Sequence, residues 1–144
     1  MCFYINKKYP DKLIAKRDIK CYKTLFFSSS ENYIISEYYR YIYKQGIQEN
    51  IISLNIIIEN PRYVLSEPTH IDKGYHSYIS IKTILKDKYP SFNRIIAIFI
   101  IPKGTEYYKN DTEMVSSNIF FTGEYINRDE FNEKQRKNKK KQWL

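Results

Sequence analysis

Residues 94–101 read RIIAIFII. After Arg94, every one of the remaining positions through Ile101 is apolar, and most are β-branched. An unbroken run of this kind, with no polar residue at alternate positions, suits a central strand covered on both faces. It is far too short to cross a bilayer. The chain is therefore expected to build its core around this strand.

Working outward from it, Pro102-Lys103-Gly104 ends the run, TEYYKND reads as a loop, and MVSSNIFFTGEYI reads as one or two final strands. Upstream, SIKTILKDKY from Ser80 places Ile81, Ile84, Leu85 and Tyr89 on one helical face with lysines opposite, and YPS stops it. DKG (72–74) turns the chain into YHSYIS. Ile51–Ile58 is a second apolar run and reads as a strand, while Pro61 and Pro68 bracket a short extended piece. Ile19–Phe27, IKCYKTLFF, reads as a first strand. SSSEN then supplies a helix start, and YIISEYYRYIYKQG closes on Gly46 as a helix-ending glycine, although Tyr and Ile are mediocre helix formers and the stretch also suits a strand. The expected fold class is α+β, a mainly β core with one or two helices packed on it. Residues 1–127 form a single domain, and 128–144 a basic tail that is frayed helix or disordered.

The net charge of +8 is concentrated in that tail, where KQRKNKKKQWL carries six basic residues and no acid. The rest is nearly neutral, with 18 basic against 16 acidic side chains. A basic balance favours anionic partners, although a composition rich in Lys, Ile, Asn and Tyr also follows from AT-rich codons. Cys2 and Cys21 are isolated, with no Cys-x-x-Cys spacing and no histidine cluster. No metal site, cofactor or catalytic residue is expected, nor a signal peptide or membrane span. The expected setting is cytoplasmic.

Three stretches combine residues suited to ligand chemistry. Gly74–Tyr78, GYHSY, contains one of only two histidines. In a strand, Tyr75 and Ser77 face one way and His76 and Tyr78 the other, so an imidazole and a phenol stand side by side as donors to a base or a phosphate. IPKGTEYY places Lys103 in a turn, with Gly104 opening the backbone and Tyr107 following. AKRDIKCYK sets Lys16, Arg17, Lys20 and Lys23 around the first strand, and Arg17 offers the bidentate fork that phosphates favour. The candidate ligand-binding residues are His76, Tyr78, Lys103, Arg17, Lys20, Tyr75 and Tyr107. Each stretch has a plain alternative: packed tyrosines, an ordinary turn, or an edge strand protected by charge.

The blocks MCFYINKK…IAKRDIKCYKTL, GYHSY and IPKGTEYY…VSSNIFF, in this order, resemble a group of small bacteriophage and mobile-element proteins. The resemblance covers most of residues 1–126. It implies a context, since accessory proteins of this kind counter host defence by binding proteins or nucleotide signals. A fainter resemblance is to ADP-ribosyltransferases, through the order of Arg17, HSYIS, FIIPKGT and Glu113. It implies kinship of fold, whereas the Glu-x-Glu pair and Ser-Thr-Ser strand of that family have no counterpart here. The leading expectation is a protein that binds an anionic, nucleotide-like small molecule without turnover and sequesters a host signal. The alternatives are a transferase using NAD, and an inhibitor that binds a host protein; nucleic acid could engage the tail, and an oligomer is compatible with either.

Overall fold

A computed structural model of the chain describes residues 3–5, 7–28, 33–36, 42–48, 50–57, 70–87 and 94–126. RIIAIFII forms strand β8 (Arg94–Ile101), flanked on one side by β3 (Ile19–Ser28) and on the other by β11 (Phe120–Ile126). Its odd-numbered residues Ile95, Ala97, Phe99 and Ile101 enter the main core, and Ile96 enters a second cluster on the opposite face. Burial on both faces is what the unbroken apolar run requires.

The other strands are β1 (Phe3–Tyr4), β2 (Leu13–Ile14), β4 (Tyr33–Ser36), β5 (Gly46–Ile47), β6 (His70–Ile71), β7 (Tyr75–Tyr78), β9 (Glu106–Lys109) and β10 (Glu113–Ser116). β1 and β6 form a two-stranded ribbon. The remaining strands make one sheet in the order β2-β9-β10-β7-β3-β8-β11-β5, with β4 also paired to β3. Every pairing is antiparallel.

This sheet cannot lie flat. β8 and β9 stand four ladder spacings apart, about 19 Å across a planar sheet, yet only Pro102–Thr105 connect them. Such a link reaches at most about 18 Å when fully extended, and here it is turned, with the Thr105 amide donating to the Pro102 carbonyl. The link from β2 to β3 is under the same constraint. The β2-β9-β10-β7 half therefore folds toward the β3-β8-β11 half. The main core draws on both: Ala15, Tyr75 and Met114 from one, and Cys21, Leu25, Phe99 and Phe121 from the other. Tyr43 and Ile52 join from the segment that follows β4.

The α+β expectation is overturned. Among the described residues there are eleven strands and a single helix, α1 (Ile81–Asp87), so the fold is dominated by β-sheet. α1 lies where the apolar spacing placed it; Ile84 is buried with Tyr78, Ile96 and Ile126, and the Ser80 hydroxyl accepts from the Thr83 amide at 3.4 Å. The helix expected after SSSEN is absent where the chain is described: Tyr33–Ser36 pairs with Leu25–Ser28 of β3, and residues 43–45 are irregular. Tyr and Ile suit a pleated ladder better than a helix, and the far half of β3 supplies the partner. Ile51–Ile57 is not a strand either. It runs along the surface with only Leu54 buried and is held by isolated bonds, from the Ile52 amide to the Ser117 carbonyl and between Ile57 and His70. TEYYKND is not a loop, because Glu106–Lys109 pairs with β10 and β2. The Pro61–Pro68 piece and the basic tail lie outside the described residues.

Candidate functional site

Two places gather the polar residues singled out by the sequence. The first is a basic rim. The turn after β2 and the turn after β8 are stitched together: the Gly104 amide donates to the Ala15 carbonyl at 2.8 Å, and the Ala15 amide to the Thr105 carbonyl at 2.9 Å. The Lys103 amide donates to Asp18 Oδ1 at 2.9 Å. Gly104 adopts φ +90°, the left-handed region open to glycine, which lets the turn close against Ala15. Lys16, Arg17 and Lys103 are all exposed on these joined turns. Lys20 follows one residue into β3 and lies 5.9 Å from the ring centre of half-buried Tyr22.

The second place is the split between the sheet halves. β3 and β7 share one register pair, Tyr22↔Tyr78, and part beyond it, while the described residues of β4 pair with Leu25–Ser28. Lys23 reaches from β3 to β7 there, its ammonium donating to the backbone carbonyl of His76. That ammonium lies 5.5 Å from the Tyr43 ring centre and 6.0 Å from that of Phe99. Cys21 and Ser77 flank the same position. Burial pushes the Cys21 thiol up to about 11, with the neighbouring Ser77 hydroxyl and Lys23 charge pulling weakly the other way. The thiol is protonated and inert at neutral pH. Ser77 is only 3% exposed, and apart from the neighbouring Cys21 thiol its Oγ finds no hydrogen-bond partner among the described residues.

His76 is half-buried. Its Nε2 lies 3.3 Å from the Asp72 carbonyl. A carbonyl can only accept, so Nε2 carries the proton and buried, unpartnered Nδ1 is an acceptor. Burial, reinforced by the Lys23 charge, lowers the imidazole from 6.5 to about 4. His76 is thus neutral at physiological pH and brings no charge to an anion.

The seven candidate residues do not converge. Arg17, Lys20 and Lys103 meet at the rim. Tyr75 and Tyr78 are core residues, 4% and 6% exposed, and the Tyr75 hydroxyl donates to the Asn50 carbonyl at 2.7 Å. Tyr107 is partly buried against the main core, opposite Leu13 and Ser116 in the ladder. Asp18 and Ser77 carry roles that sequence reasoning missed. Asp18 had a signal, since an acid inside a basic turn is suited to capping an amide. Among the described residues no group of three or more His, Cys, Asp and Glu is placed to hold a metal, and no helix is long and apolar enough to cross a membrane.

Compared with family models, curated proteins and solved structures, the chain finds no match in any of the three.

Proposed function

We propose that this chain binds an anionic, nucleotide-type small molecule at the basic rim and does not transform it. The observation that carries the reading is the stitching of two turns that holds Lys16, Arg17 and Lys103 on one frame. Fixed cations bind phosphate better than mobile ones, because less side-chain and loop entropy is lost on association. Arg17 supplies the bidentate fork and Lys103 and Lys20 supply point charges. Tyr22, beside Lys20, offers a face for a base.

The way the reactive side chains are used supports the reading without turnover. Cys21 is buried as a thiol, and the His76 Nε2 proton is directed at a backbone carbonyl. The resemblance to bacteriophage accessory proteins supplies the biological context for the proposal: sequestration of a host nucleotide signal in the host cytoplasm.

The test is to incubate the protein with a host nucleotide extract, denature it and identify what is released. An intact nucleotide supports the reading. A modified product favours the transferase alternative, and recovery of nothing favours the inhibitor of a host protein. With the released ligand in calorimetry, Arg17→Ala and Lys103→Ala should each weaken binding roughly tenfold, the worth of one charge-assisted hydrogen bond. Unchanged affinity in both removes the rim from the site.

A further inference from the structure

The two ends of the long sheet are guarded differently. At one end, β2 carries Ile14, 62% exposed, between Lys12, which pairs with Glu106, and the exposed cations Lys16 and Arg17. Basic side chains beside an edge strand discourage a further strand from adding to it. At the other end, β5 has no such guard. Residues 42–57 contain one lysine and one glutamate, so this stretch is neutral in a chain of net charge +8.

The free backbone groups of β5 belong to one residue. β5 pairs with β11 through Phe120↔Ile47 and Phe121↔Gly46, and the Gln48 amide donates to the Ile119 carbonyl at 3.2 Å. Gln48 thus bonds toward β11, and by the alternation of an antiparallel ladder the Ile47 amide and carbonyl point away from it. Neither has a partner among the described residues. The Ile47 side chain is 56% exposed. It shares a face with its ladder neighbour Phe120, and Phe120 with Ile100 of β8. Phe99 and Phe121 enter the main core, so this is the opposite face of the sheet. Phe120 is exposed and Ile100 half-buried, and an apolar row therefore runs out to the edge at Ile47.

We infer that β5 is a self-association edge, to which a second copy of this chain adds its own β5, antiparallel, about a two-fold axis at Ile47. In that register Ile47 faces its counterpart, and the two exchange both amide-to-carbonyl bonds, as a hydrogen-bonded antiparallel pair does. The apolar rows of the two copies then join into one. Charge selects a second copy as the occupant. Like-charged chains repel, and they approach most easily through a neutral stretch that is its own complement. Each β5 has a single free edge, so the contact closes at two copies. The basic rim lies at the β2 end, outside the contact, and the inference does not depend on the function proposed for it.

Sedimentation velocity of the full chain over a concentration series tests the pairing. A dimer is expected. Ile47→Lys should raise its dissociation constant at least about a hundredfold, by removing apolar burial on both sides and setting two cations face to face. Ile14→Lys, at the guarded edge, should dimerise as the parent does. Ile47→Cys tests the register. Opposed residues of a hydrogen-bonded antiparallel pair stand about 5.5 Å apart at Cα, within the disulfide range of about 4.4–6.8 Å. Mild oxidation should cross-link this variant well beyond the background set by the parent, which carries Cys2 and Cys21. A monomeric parent overturns the inference and leaves the edge to a protein of another sequence. The inference is equally overturned by a dimer that survives Ile47→Lys, is lost in Ile14→Lys, or fails to cross-link through Ile47→Cys.

Discussion

Lys23 of β3 donates to the backbone carbonyl of His76 of β7, 53 residues away in sequence, where the two strands part. Beyond Tyr22↔Tyr78 the two strands share no further register pair, and the Lys23 side chain links them instead. Lys23→Met keeps the apolar stem and removes the donor. It should destabilise the fold by about 1.5–3 kcal/mol, the range for a hydrogen bond to a charged group. Urea denaturation would show a lower midpoint with an unchanged slope.

Gly74, which opens β7, sets a second limit. At φ +146° it lies where side chains are rarely tolerated, and an added Cβ would meet Val115 Cγ2 at 2.5 Å and Leu54 Cδ2 at 2.8 Å. Gly74→Ala should cost roughly 2–4 kcal/mol, combining backbone strain with overpacking. Gly104→Ala has a left-handed φ but nothing within 4 Å. It should cost only about 1–2 kcal/mol. Thermal unfolding of the two variants side by side would show this order.

These two positions also show what the sequence could and could not reveal. RIIAIFII announced a strand buried on both faces because that burial leaves no room for polar alternation. SIKTILKDKY announced a helix because its apolar residues recur at helical spacing. Tyr33–Ser36 misled because local cap signals favoured a helix, whereas the last residues of the preceding strand β3, Leu25–Ser28, supplied a ladder. Strands of two residues, such as β2 and β5, carry no periodicity at all and exist only through their partners. The cations of the rim were legible as residue types, but the meeting of their turns was not. The Lys23 bridge had no local signal, since its partner is a backbone carbonyl that any residue at position 76 would provide.

His76 should make stability depend on acidity. Its folded-state value is about 4 against 6.5 unfolded, lowered by burial and then by Lys23. Below pH 6.5 the unfolded chain takes up a proton that the folded chain refuses until about pH 4. Stability is therefore unaffected by this group above 6.5, falls as pH drops through that window, and levels off below 4. The loss amounts to roughly 3 kcal/mol when complete. His76→Gln should flatten this part of the profile, measured by urea denaturation between pH 7 and 4. An imidazole resonance that titrates near 6.5 by NMR would contradict the assignment.

Asp18 separates geometry from charge at the rim. Its Oδ1 accepts from the Lys103 amide and so ties the turn after β8 to the turn after β2. If anion binding followed net charge alone, Asp18→Ala would strengthen it, because the variant removes a negative charge next to Arg17. If binding needs the two turns locked together, the same change should weaken it, since Lys103 then loses its fixed position. The second outcome is expected, with affinity for a nucleoside triphosphate probe falling several-fold. Asp18→Asn keeps an acceptor while removing the charge, so it should bind at least as well as the parent. Raising the salt concentration should weaken parent and Asp18→Asn alike, as exposed charges are screened over about 8–10 Å at physiological ionic strength. Calorimetry on the three proteins at two salt concentrations would decide between the alternatives: stronger binding by Asp18→Ala would make the rim a diffuse patch of charge rather than a built site.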